Sequence, residues 1–128
     1  MLTKIYRSKM DYSEQIMELS EQLDKVSTEF KDACVKYSEH YYNFQKLLGI
    51  RIMRLVNKKP AMDKIICEAL ADETVADHQD FCIHYKGYTY YKALKTGLEA
   101  QIEAIRSKIM ARQSIMRFNG KMDTYGKT

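Results

Sequence analysis

Apolar residues recur along the first half of the chain at Ile16, Leu19, Leu23, Val26, Phe30, Ala33, Tyr37, Phe44 and Leu47. The steps alternate between three and four, and His40 fills the one gap. Such spacing is a heptad seam. It predicts one long helix over about 11–57 with a partner helix along its length. Asp11 suits the N-cap, and Glu14, three residues on, resembles a capping box. Past Phe44 the apolar positions drift to Leu48, Ile52 and Leu55, a change of phase that predicts a twisted seam or a bend near Gly49. Pro60 ends the segment, because it lacks a backbone donor and clashes with the preceding turn.

Residues 60–71 read as a short helix with Met62, Ile65, Ile66, Ala69 and Leu70 on one face. Asp72-Glu73-Thr74 interrupts that pattern, and Thr74 with Asp77 suggests a second capping box. A second long helix is expected over about 75–118. Its seam is Phe81, His84, Tyr88, Tyr91, Leu94, Leu98, Ile102, Ile105, Ile109 and Met116, with Arg112 at one seam position. Gly87 and Gly97 each weaken a helix by up to ~1 kcal/mol relative to alanine, which makes Gly87 a candidate break. Asn119-Gly120 is a natural stop. Residues 121–128 lack apolar periodicity and read as a flexible tail outside a single helical domain, 1–120.

Two long heptad helices joined by a short helix predict an all-α fold, an antiparallel coiled-coil hairpin. Charge patterning supports the antiparallel sense. Residues 1–40 carry six basic and eight acidic groups, residues 41–70 six and two, residues 71–90 one and four, and residues 91–128 eight and three. Folding the chain back sets opposite signs side by side along both halves. Leu19, Leu23 and Phe30, with Leu98, Ile102, Ile105 and Ile109, form the seam. A two-helix hairpin leaves apolar surface over, so a homodimer built as a four-helix bundle on this seam is expected. A hinge at Pro60 permits either a closed hairpin or a swap between chains.

Composition narrows the class. With 30 % charged and 45 % hydrophobic residues, the chain of 128 residues is neither disordered nor membrane-like. No run approaches the roughly 18 apolar residues of a spanning helix, and the first residues lack a signal-peptide pattern. Cys34, Cys67 and Cys82 are odd in number with no close pairing, which favours a reduced, cytoplasmic setting.

Candidate chemistry is thin. His78 and Cys82 lie one helical turn apart, and His40, His84 and Cys67 are further metal-ligand types, but no CxxC or HxxxH pair is present. The acids Asp72, Glu73, Asp77 and Asp80 look like an exposed helix start. No glycine-rich phosphate loop and no convergent catalytic set occurs, so neither an enzyme nor a cofactor is expected. More suggestive is the interleaving of aromatic and basic residues. One cluster is Tyr37, Tyr41, Tyr42, Phe44, Lys46, Arg51 and Arg54. The other is Tyr85, Lys86, Tyr88, Tyr90, Tyr91, Lys92 and Lys95. An antiparallel hairpin should bring the two together. Tyrosines with arginine and lysine stack bases and hold phosphates, and they are equally the anchors of protein interfaces. The candidate contact set is Tyr41, Tyr42, Arg51, Arg54, Lys58, Lys59, Tyr85, Tyr90, Lys92 and Lys95. The basic run Arg106, Lys108, Arg112, Arg117 and Lys121 should be partly answered by acids on the first helix.

The stretch from Tyr90 to Ser107, Tyr-Tyr-Lys-Ala-Leu-Lys-Thr-Gly-Leu-Glu-Ala-Gln-Ile-Glu-Ala-Ile-Arg-Ser, resembles the closing helix of small coiled-coil proteins from phage and prophage early regions. The resemblance implies a small accessory protein that acts on DNA metabolism or blocks a host nuclease, within a bacterial cytoplasm. It carries over no site residue. Three readings follow: a helical module that binds and modulates a nucleic-acid-processing machine, a direct DNA- or RNA-binding protein, or a structural coiled-coil scaffold.

Overall fold

The computed structural model describes residues 11–55 and 61–126. They form three helices and no strand: α1 (Tyr12–Arg54), α2 (Met62–Ala71) and α3 (His78–Gly126). The two long helices pack against each other as a helical hairpin, with α2 in the connection between them. At about 1.5 Å per residue, the 43 residues of α1 reach roughly 65 Å. A helix of that length buries its apolar stripe only against a second long one.

Asp11 opens α1 as expected. Its carboxylate accepts the Ser13 N–H at 3.3 Å, and its carbonyl accepts the Gln15 N–H at 3.1 Å. The helix runs unbroken through Gly49 and ends at Arg54, three residues before the expected limit. Pro60, the expected terminator, lies outside the described residues.

Helix α3 differs from the expectation in its start, its cap and its end. It starts at His78 rather than near Val75. Thr74 does not cap it, because the Thr74 hydroxyl and N–H both turn back to the Asp72 carboxylate, at 2.5 and 3.1 Å. The first intrahelical acceptor is instead the Asp77 carbonyl, bonded to the Phe81 N–H at 2.9 Å. Nor does α3 break at Gly87 or stop at Asn119-Gly120; it continues to Gly126.

The described chain forms two compact units. The first comprises the residues of α1 up to Phe30 and those of α3 from Gly97 onward. Here Leu19, Leu98, Ile102 and Ile105 are buried, and Leu23, Phe30 and Ile109 are half-buried. These residues are thus covered within one chain. Arg112 stands in the seam without stranding its charge. Its Nε donates to Gln15 Oε1 at 2.8 Å, and its Nη1 donates to the Lys108 carbonyl at 3.2 Å. Among the described residues the acidic start of α1 and the basic end of α3 meet through this hydrogen bond rather than through ion pairs.

The second unit is Lys31–Thr96. Its core is Phe44, Leu48, Ile65, Ala69 and Phe81, one or two residues from each helix. The amphipathic face of α2 supplies Ile65 and Ala69, four apart, so a short helix that would be marginal alone is held by packing. Leu94, expected in the seam, is exposed, and Lys95 is the half-buried residue at that level. The reason is aromatic: the Lys95 ammonium lies 4.8 Å from the centre of the Tyr37 ring.

Candidate aromatic contact surface

Heptad spacing on both helices stacks rings into layers in the second unit. Tyr37, Tyr41 and Phe44 follow i, i+4, i+7 on α1, and Phe81, Tyr85 and Tyr88 do the same on α3. Phe44 is the hub: its ring lies 5.3 Å from Tyr88, nearly parallel, 5.4 Å from Tyr85 and 5.5 Å from Phe81. Tyr88 then meets Tyr37 at 5.6 Å and Tyr41 at 5.2 Å, and Tyr37 stacks on Tyr41 at 5.7 Å. Each such pair is worth about 0.5–1.5 kcal/mol beyond its area. The Lys92 ammonium sits 5.7 Å from the centre of Tyr88. The outer member, Tyr41, keeps 40 % of its surface open. The result is a tyrosine held by two neighbouring rings, each with a lysine over it, at the surface of one unit.

The two aromatic clusters do meet, but only in part. Tyr37, Tyr41, Phe44, Tyr85, Tyr88, Lys92 and Lys95 come together. Tyr42 and Tyr90 do not join this surface. They are 68 % and 61 % exposed, and Tyr90 lies nine residues past Phe81, about 180° round α3 at roughly 100° per residue. Arg51 is not a free surface cation either. It pairs with Asp77 at 3.0 Å and lies over the Phe81 ring at 5.3 Å. Arg54 is exposed and lines a cavity of about 150 Å³ with Leu55, Ile65, Glu68 and Val75. Lys58 and Lys59 lie outside the described residues.

Cys82 and His78 approach to 3.4 Å, but the same His78 Nε2 lies 2.9 Å from the Leu70 carbonyl, which can only accept. That nitrogen therefore carries its proton and cannot take one from the thiol. Cys67 is exposed on α2. Among the described residues no three of His, Cys, Asp and Glu gather into a group able to hold a metal. A second concavity, about 450 Å³ in the first unit, is lined by Gln22, Lys25, Glu29, Gln101 and Lys108 around Val26, Ala104 and Ile105. No described helix is long and apolar enough to cross a membrane.

The opposite flank of the same α1–α3 contact holds a feature the heptad reading passed over. His40 Nδ1 lies 3.2 Å from His84 Nδ1, and His40 stacks on Tyr91 at 5.6 Å. Its ring fills the space where a side chain at Gly87 would begin. The signal available in the sequence was a histidine in each seam, with a glycine three residues after the second.

No family model, no curated protein and no solved structure matches the chain.

Proposed function

We propose that this chain is a non-enzymatic helical interaction protein that docks on a protein partner through the Tyr41 surface. The observation that carries the reading is the arrangement of Tyr41: part-exposed, stacked on Tyr37 and tilted against Tyr88, two rings that carry the Lys95 and Lys92 ammonium groups. A tyrosine already held in one orientation loses little freedom on binding, which is why such rings serve as interface anchors. The two lysines suit a partner with carboxylates beside an apolar recess. The resemblance of the closing helix makes a nucleic-acid-processing machine the proposed partner class, with modulation or inhibition as the outcome. Direct nucleic-acid binding is less well supported, because Arg51 is consumed internally and both lysines lie against rings of the chain itself. Self-association belongs to the same reading. Exposed apolar residues that could support it include Met110, Ile115, Met116 and Phe118 of α3.

The test is crosslinking in host cells from a photoreactive residue at the exposed position of Gln45, one turn from Tyr41, in chains with Tyr41 intact or replaced by alanine, alongside anisotropy with labelled DNA and RNA across a salt series. One protein captured with Tyr41 intact and lost with Tyr41→Ala at unchanged helicity supports the reading. Nucleic-acid affinity that falls steeply with salt overturns it in favour of direct binding. A function that survives Tyr41→Ala but fails when Leu23 and Ile105 are replaced points to a scaffold.

A further inference from the structure

We propose that His40 and His84 share a single proton across the two long helices and form a pH-operated latch in the Lys31–Thr96 unit.

The argument begins with valence. A neutral imidazole has one ring nitrogen that donates and one that accepts; an imidazolium has two donors and no acceptor. The two Nδ1 atoms face each other at 3.2 Å, a hydrogen-bond separation. One Nδ1 must therefore bear a hydrogen and the other a lone pair. The two rings occupy opposite tautomers when both are neutral. The contact also survives with one ring protonated, since that ring donates to the neutral one. It fails when both are protonated: the acceptor is gone, and two positive charges face each other across the same gap.

The surroundings hold the pair in place. Gly87 leaves room for the His40 ring, and Tyr91 stacks on its face. Both rings are half-buried. Other titratable groups near the pair are Lys36 and Tyr37 one turn away on α1, and Asp80 and Tyr88 one turn away on α3. Among the described residues neither histidine is paired with a carboxylate, and Asp80 is exposed. No acid therefore stands against the pair to absorb a second charge.

The sign follows. The contact is intact while at least one of the two rings is neutral and is lost when acid protonates both. Acid then separates His40 from His84 and frees Tyr91, loosening this flank of the aromatic layers.

The chain has three histidines, so ring NMR of the intact protein reads the proposal directly. At neutral pH, nitrogen shifts should show one of His40 and His84 protonated at Nδ1 and the other unprotonated there. His78, bonded through Nε2 to Leu70, serves as the internal reference. The two titrations should be linked, and His84→Gln should change the tautomer of His40. The wild-type melting temperature should fall between pH 7.5 and 5 by about 4 °C more than that of His40→Gln or His84→Gln. Two rings protonated at Nε2 that titrate independently overturn the shared proton, and that measurement needs no variant to fold. A pH dependence of melting equal in wild type and both variants overturns the latch.

Discussion

The ring of His40 occupies the place where a Cβ on Gly87 would stand. Gly87 is a helix residue of ordinary backbone conformation, so its glycine is needed for space and not for φ. Elsewhere in a helix, alanine for glycine is favourable by up to about 1 kcal/mol. At Gly87 the His40 ring must shift, and overpacking of this kind costs about 1–3 kcal/mol. Gly87→Ala should therefore lower stability in denaturant titration. Gly97→Ala, where nothing among the described residues stands within 4 Å, should raise it. The opposite signs on one helix are the expected outcome.

Phe81 is the largest fully buried side chain and touches Phe44 and the Arg51 guanidinium. Phe81→Ala removes a ring from a closed core and should cost about 3–5 kcal/mol, read as a fall in the unfolding midpoint. Tyr42→Ala, on an open surface, should stay within about 0.5 kcal/mol of wild type.

Arg51 and Asp77 keep only 12 % and 19 % of their side-chain surfaces open, and among the described residues Arg51 Nε has no hydrogen-bond partner. Taking away one member of such a pair strands the other. Asp77→Ala leaves a largely buried guanidinium unanswered and should cost about 2–3 kcal/mol, discounted from the fully buried case for its partial exposure. Arg51→Met keeps the packing on Phe81 and removes the charge, so it should cost less than Asp77→Ala. Comparison of the two in one denaturant series checks the order.

The Thr74 hydroxyl, and after it the Thr74 N–H, hold the Asp72 carboxyl below the ordinary carboxylate range. A carboxylate lowered on folding stabilises above its unfolded value and loses that contribution as pH falls through the folded one. Asp72→Asn should therefore lower stability at neutral pH and approach wild type as pH falls below about 4, which flattens the acid limb of the stability curve. Thr74→Val should do part of the same. Melting temperatures from pH 2 to 7 provide the check.

The helical hairpin was legible because a stripe buried along a helix must repeat every three or four residues, and Leu19, Leu98, Ile102 and Ile105 obey that repeat. The details that escaped depend on which residues face each other across the contact. Lys95 displaces Leu94 only because Tyr37 lies opposite. Helix α3 begins late because Asp72 engages Thr74 first. Gly87 reads as a weakness until His40 is placed over it. At the candidate surface, the grouping of Tyr37, Tyr41 and Tyr88 follows from the same repeat. The divergence of Tyr90 was available from its angle around α3. The internal use of Arg51 was not, because it requires the turn that delivers Asp77.

The hydrogen bonds that tie the returning chain differ in how much polypeptide each encloses. Arg51 and Asp77 are 26 residues apart, His40 and His84 are 44 apart, and Gln15 and Arg112 are 97 apart. Closing the longest of these loops directly from the open chain costs about 1 kcal/mol more entropy than closing the shortest. Folding should therefore start where α2 and the turn bring Phe44 to Phe81, and close like a zipper toward Gln15 and Arg112. Amide exchange should then be slowest around Phe44 and Phe81 and quickest near Gln15 and Arg112, and a uniform rate along α1 would refute that order.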